Sequence, residues 1–174
     1  MTSKSKLLSA FTLMFMASGG SWAQKTAESP RPLNLAVVAP VVDCATLASA
    51  DISAAVGSPT HISSAMPVPE GRPAPYCDVK GYVDPQVKFE VRLPLTTWTQ
   101  RLVQTGCGGL CGMLGIRLGN DQGCLPAQKG ELALTSTDMG HNGGMDGKFG
   151  ESDYRLRIDL AYRGVHVTTQ REHR

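Results

Sequence analysis

The sequence predicts a mixed α/β fold rich in strands and turns, and three observations carry that expectation. Nineteen glycines and 11 prolines among 174 residues call for many turns. Two adjoining runs, Tyr76 to Val83 and Val87 to Leu93, alternate apolar and polar residues as half-buried strands do. Toward the end, Tyr154, Ile158, Ala161, Tyr162 and Val165 fall at helical spacing, which predicts a helix over about 155–170. The length suits one domain of ordinary size.

The elements follow in chain order. Lys4 and Lys6 precede an apolar run from Leu7 to Ala17, and Ser21-Trp22-Ala23 supplies small residues at −3 and −1 before Gln24. This predicts a signal peptide over 1–23, cleaved after Ala23, and a secreted or periplasmic protein. The run is too short to span a bilayer, and no cysteine follows it closely, so no membrane anchor is expected. Residues 24–42, rich in Pro, Ala and Ser, read as a loose leading segment. Asp43 is placed to cap a helix carrying Cys44, Leu47, Ala48, Ile52 and Ala55, with Gly57 to stop it. His61 to Met66 suits a short strand, and Pro67 to Pro75, with four prolines and a glycine, suits a surface loop. Asp84-Pro85 joins the two alternating runs as a turn. In the second run Val87, Phe89, Val91 and Leu93 share one face, and Lys88, Glu90 and Arg92 share the other. Trp98 anchors the connection to residues 101–104, which lead into a glycine loop. Glu131 to Ser136 reads as a strand running into Thr137-Asp138-Met139-Gly140-His141, and 142–150 as a second glycine-rich loop.

The glycine loop, Gln104 to Gly112, reads QTGCGGLCG. Glycine accepts positive φ and has no Cβ, so such a loop can present bare backbone N–H groups to an anion or oxyanion. A tight turn between strands uses the same residues. Other chemistry is sparse. The net charge is +2 with no basic stripe, so nucleic acid is not an expected partner. No G-x-S-x-G nucleophile elbow occurs. Asp138 and His141 could form a base and its orienter, though such a pair more often fixes a loop. Cys107, Cys111, Cys124 and His141 have a spacing, C-x3-C-x12-C-x16-H, that fits no common zinc site, and export favours disulfides. No metal site is expected here. The five cysteines leave one unpaired.

Taken together, the motifs resemble the amino-terminal part of the tannase and feruloyl esterase family, which includes hydrolases of mono(2-hydroxyethyl) terephthalate. The matching residues are Cys44 with Leu47-Ala48, Tyr76-Cys77-x-Val79-x-Gly81, and Phe89 to Leu95. Then come Trp98, Arg101, the loop Gly106 to Gly112, Thr137-Asp138-x-Gly140-His141, and Tyr162-Arg163-x-x-His166. The similarity spans about 43–169.

The resemblance implies a serine esterase of α/β-hydrolase fold acting on small esters of aromatic acids such as gallate or ferulate. In that family the nucleophile lies in a G-C-S-x-G-G turn downstream of the helix that ends this sequence. The catalytic Asp and His follow a large lid domain that usually binds calcium. No catalytic residue and no cofactor is therefore expected within this chain. It reads as 43–174 of such a domain, truncated before the elbow and inactive alone, and its last residues, 170–174, depart from the apolar pattern. By the same resemblance Gly108 and Gly109 are candidates for one oxyanion-hole N–H. Asp138 and His141 become structural support beneath the site. Cys44 and Cys77 match a family disulfide, and closing a loop of about 30 residues contributes roughly 3–4 kcal/mol. A second bridge is expected between Cys111 and Cys124, with Cys107 to Cys124 as the open alternative. The competing function classes are a self-contained secreted binding module that uses the loop 104–112, and a small enzyme built on Asp138 and His141.

Overall fold

Five strands, β1 (Thr60–Val68), β2 (Tyr76–Val83), β3 (Val87–Pro94), β4 (Arg101–Gln104) and β5 (Leu132–Thr137), form one sheet in the order β1-β2-β3-β5-β4. The structure is a computed structural model and describes residues 35–106, 108–117, 123–143 and 146–170. These belong to the second of two compact units, Asn34–Arg174. The expected signal peptide, residues 24–34 of the leading segment, Cys107 and the last four residues lie outside the described residues.

The first three strands pair in sequence order. β2 and β3 run antiparallel from Val83↔Val87 to Tyr76↔Pro94 around the Asp84-Pro85 turn. β1 pairs with β2 over Thr60↔Val83 to Val68↔Tyr76, with an irregularity between Ile62 and Ser64. It runs two residues past the strand expected from sequence and takes in Pro67, which an edge strand tolerates because its N–H side can face away from the ladder.

The leading helix differs from expectation. It is two short pieces, a 3-10 turn over Cys44–Ser49 and α1 (Ser53–Val56). Ala50 between them is extended at φ −76° and ψ 129°, and Asp43 makes no side-chain cap. Asp51 starts the second piece instead, its carboxylate accepting the Ser53 N–H at 2.9 Å. Gly57 stops it in the left-handed conformation, φ 73°, as its position predicts. A disulfide joins Cys44 to Cys77 on β2 and pins the 3-10 turn to the sheet.

On this face of the sheet Cys77, Val79, Val83, Val87 and Phe89 pack with Val56, Ala65 and Val167. Each valine there stabilises the fold by about 1.5–3 kcal/mol on burial. The face carrying Glu90 and Arg92 is not solvated as the alternation suggests. Glu90 is buried, and its Oε1 accepts from the Arg92 guanidinium at 2.8 and 3.0 Å. The cover comes from the second half of the chain. Ile116 and α2 (Leu125–Gln128), a one-turn helix absent from the sequence reading, pack on Leu132 and Leu134.

β5 is inserted between β3 and β4, antiparallel to the first and parallel to the second. All six of its residues are buried, as both faces of a parallel pair usually are. The last helix runs through α3 (Phe149–Ser152), then α4 (Tyr154–Ile158), a π-turn over Asp159–Arg163 and α5 (Gly164–Thr169). Asp153 caps α4 by accepting the Arg155 N–H at 2.8 Å. The apolar stripe that predicts this helix is not the side that meets the sheet. Asp159, Gly164, Val167 and Thr168 are buried, while Tyr154 and Tyr162 are exposed. Arg163 explains the orientation: its guanidinium donates to Asp159 Oδ1 at 2.9 Å and to the Asp84 carbonyl at 2.5 Å, tying the π-turn to the β2–β3 turn.

Candidate functional site

The site lies where β4 and β5 end. Gln104, the carboxyl end of β4, is the register partner of Thr135, two residues before β5 ends, so the glycine loop and the Thr137–His141 segment leave the same end of the sheet. The crevice outside the carboxyl ends of parallel strands is the usual place for a ligand in an open α/β sheet. Thr105 continues the ladder for one residue, its N–H and its hydroxyl both donating to the Thr135 carbonyl at 2.7 and 3.0 Å.

Beyond Thr105 the glycine loop turns sharply. Gly109, Cys111 and Gly112 have φ of 61°, 61° and 85°. The Cys111 N–H donates to the Gly108 carbonyl at 3.2 Å and closes the turn. Gly108 and Gly109, the oxyanion candidates, are exposed, and their N–H groups donate to none of the described residues. A Cβ at Gly108 would meet open space. The loop therefore leaves these two N–H groups without an acceptor among the described residues.

A second loop holds the first. Gly143 donates its N–H to the Gly112 carbonyl at 2.9 Å. A Cβ on Gly112 would come within 1.9 Å of Gly143 Cα, and one on Gly143 within 1.9 Å of the Cys111 carbonyl oxygen. Only glycine fits on either side of this contact. His141 adds a second tie. It is buried, its ring stacks on Phe149 at 3.8 Å, and its Nε2 stands 2.7 Å from the Leu110 carbonyl oxygen. Nε2 must carry the hydrogen there, because a carbonyl can only accept. Nδ1 faces the Met139 carbonyl at 3.3 Å.

Asp138 is engaged elsewhere. Its Oδ1 accepts the N–H groups of Lys88 and Gly140, each at 2.9 Å, and its own N–H donates to the Lys88 carbonyl at 3.2 Å. The carboxylate thus extends the β3–β5 pairing past the strand end. Burial pushes its pKa above the ordinary carboxylate value, against the pull of the two backbone N–H groups and of the Lys88 ammonium, 3.9 Å from Oδ2. Neither His141 ring nitrogen bonds to Asp138, so the two residues do not form a base and orienter.

The cysteines depart from expectation in one respect. Cys124 is a free, exposed thiol, so it bridges neither Cys111 nor Cys107. Cys124 stands at the N-cap of α2. Cys111 is disulfide-bonded, with its sulfur 3.7 Å from the Thr137 carbonyl oxygen.

Three further supports were not evident from sequence. Ser136 Oγ accepts the Gly115 N–H at 3.3 Å and holds the chain after the glycine loop against β5. The Lys88 ammonium reaches Asn142 Oδ1 at 3.4 Å. Asp159 presses on the Met139–Gly140 turn, where a Cβ on Gly140 would lie 2.6 Å from Asp159 Oδ2. The i,i+4 spacing of Asp159 and Arg163, with Gly164 beside them, is the one sequence signal that could have pointed there. Among the described residues no group of three His, Cys, Asp or Glu side chains could hold a metal ion. No described helix is long and apolar enough to cross a membrane.

No curated protein matches the chain. The profile of the family described as tannase and feruloyl esterase matches residues 72–173, more than half of the sequence and the part that holds both loops. The chain belongs to the tannase and feruloyl esterase family.

Proposed function

We propose that this chain is the oxyanion-binding part of a serine carboxylic ester hydrolase of α/β-hydrolase fold, exported and acting on esters of aromatic acids such as gallate or ferulate. One observation carries the proposal: the glycine loop, held at the carboxyl end of β4 by Gly143 and His141, leaves the Gly108 and Gly109 N–H groups without a partner among the described residues. When a serine attacks an ester carbonyl, the oxygen gains negative charge, and fixed N–H donors lower that barrier most when nothing else occupies them. Strand order supports the fold assignment, since β5 doubles back between β3 and β4 to create the parallel pair. Family membership supports the ester as substrate class.

The sequence holds no G-x-S-x-G elbow, and by the family resemblance the serine comes from a turn downstream. This polypeptide by itself is therefore expected to hydrolyse no aromatic ester. The donor role can be tested in a chimera in which residues 98–143 replace the matching segment of an active family member. Gly108→Pro deletes one N–H and should lower kcat about 10²–10³-fold with little change in KM. An unchanged kcat would remove Gly108 from the oxyanion site.

A further inference from the structure

Asn142 is the one asparagine of the chain that glycine follows; Asn34 precedes Leu35, and Asn120 precedes Asp121. Asn142 and Gly143 are both exposed, in the loop that leaves β5. With no Cβ on residue 143, nothing beside its nitrogen hinders approach to the side chain before it. The fold also supplies an activator. The Lys88 ammonium, brought from β3 across 54 residues of sequence, donates to Asn142 Oδ1 at 3.4 Å. That oxygen is the one that gains negative charge when a nucleophile adds to Cγ. Asp138 Oδ2, 3.9 Å from the same ammonium, holds it on this side of the sheet.

We propose that Asn142 is a self-modification site, at which the Gly143 nitrogen displaces the side-chain amide and the loop loses its tie to Gly112. The Gly143 nitrogen gives its proton to solvent base and bonds to Asn142 Cγ. The Cγ–Nδ2 bond breaks, Nδ2 takes a proton from water and leaves as ammonia, and a cyclic succinimide remains. Water then opens the ring. Opening at Cγ gives aspartate; opening at the main-chain carbonyl gives isoaspartate, with the chain continued through the side chain. Nothing but water is consumed. In the intact loop the Gly143 N–H donates to the Gly112 carbonyl at 2.9 Å, so the nitrogen attacks when the two loops part. Isoaspartate adds a methylene to the backbone where there is no slack, since a Cβ on Gly112 would already lie 1.9 Å from Gly143 Cα. Aspartate instead sets a new carboxylate beside Lys88, in competition with Asp138. The reaction is a clock on the join between the two loops, and it stands whether or not the chain is part of an esterase.

The chain is incubated in mildly alkaline buffer and mapped by peptide mass spectrometry. Position 142 is expected to turn from amide to carboxylate, as a mixture of aspartate and isoaspartate, while Asn34 stays unchanged over the same days. Asn142→Gln should remove the product. Lys88→Met deletes the ammonium at an exposed strand position and keeps the backbone pairing. It should slow the loss about 10-fold, less than the 10²–10³ of a buried oxyanion donor because Lys88 is exposed. Lys88→Arg keeps a charged donor there and should retain most of the rate. In denaturing urea wild type and Lys88→Met should react alike, since the loop no longer meets Lys88. An Asn142 that stays intact in the folded protein would overturn the proposal. Equal rates for wild type and Lys88→Met in native buffer, or a difference that persists in urea, would overturn the role of Lys88 and the proposal with it.

Discussion

The two halves of the sheet are built on different principles. β1, β2 and β3 pair in chain order, bury mainly apolar side chains such as Val79, Val83 and Val87, and are pinned by the Cys44–Cys77 disulfide. The parallel half, β4 and β5, ends in polar residues that are nonetheless buried: Thr135, Ser136, Thr137, Asp138 and His141. Four of the left-handed residues, Gly112, Cys111, Met139 and Gly140, also gather there. The first half derives its stability from burial and a cross-link. The second spends stability on a fixed backbone shape, which is the mark of a binding or catalytic loop. The contrast says where mutations should unfold the protein and where they should only disorder the site.

The disulfide should show the largest effect. Cys44→Ser frees the 3-10 turn while leaving buried Cys77 in place, and urea denaturation should report a loss of about 3–4 kcal/mol, as expected for a closed loop of this length. Gly112→Ala is the counterpart in the parallel half. Its Cβ would collide with Gly143 Cα, and φ of 85° is hostile to alanine, so a loss of about 3 kcal/mol is expected. Gly106→Ala, where a Cβ meets nothing within 4 Å, should stay within about 0.5 kcal/mol of wild type. Equal effects at the two glycines would mean that the loops do not touch as described.

Asp138 sharpens the comparison further. Asp138→Ala leaves the Lys88 and Gly140 N–H groups without an acceptor and should cost about 2 kcal/mol. Asp138→Asn keeps an oxygen for both and removes the buried charge, so at neutral pH it should match or exceed wild type. The pH dependence has a definite sign. Because burial raises the Asp138 pKa in the folded state, the folded protein holds this proton over a window where the unfolded chain has lost it. The Asp138 contribution is fully present below the ordinary carboxylate value and is lost as pH rises through the raised one. Stability of wild type minus that of Asp138→Asn should therefore fall with rising pH across that window, and a rising difference would contradict the assignment. Ser136→Ala gives up one long hydrogen bond from Gly115 and should cost about 1 kcal/mol.

Legibility from sequence follows the same division. β2 and β3 were readable to within a residue because alternation and a turn signal are local. The leading helix was not, since helical spacing over Cys44 to Ala55 carries no sign that Ala50 would be extended and Asp51 would start a new turn. The solvated face assigned to Glu90 failed because α2 and Ile116, distant in sequence, cover that side of the sheet. At the site, glycine content pointed to the loop, and the resemblance pointed to Asp138 and His141. The partner of His141 is a backbone carbonyl, Leu110, and the tie between loops is Gly112 to Gly143. Glycine at 112 and 143 suits the contact, but residue type does not say which partner 31 residues away it meets. The Cys111–Cys124 expectation failed for a related reason: cysteine counts carry no distances, and Cys124 is free.

The most direct test of the account reads the encoding DNA past the codon for Arg174 in all three frames. If this chain builds the oxyanion half of a serine esterase, a G-C-S-x-G-G turn should appear within about 30 residues, with an Asp and a His far behind it. Unrelated sequence in every frame would contradict the esterase assignment at this locus and leave the glycine loop without a nucleophile to serve.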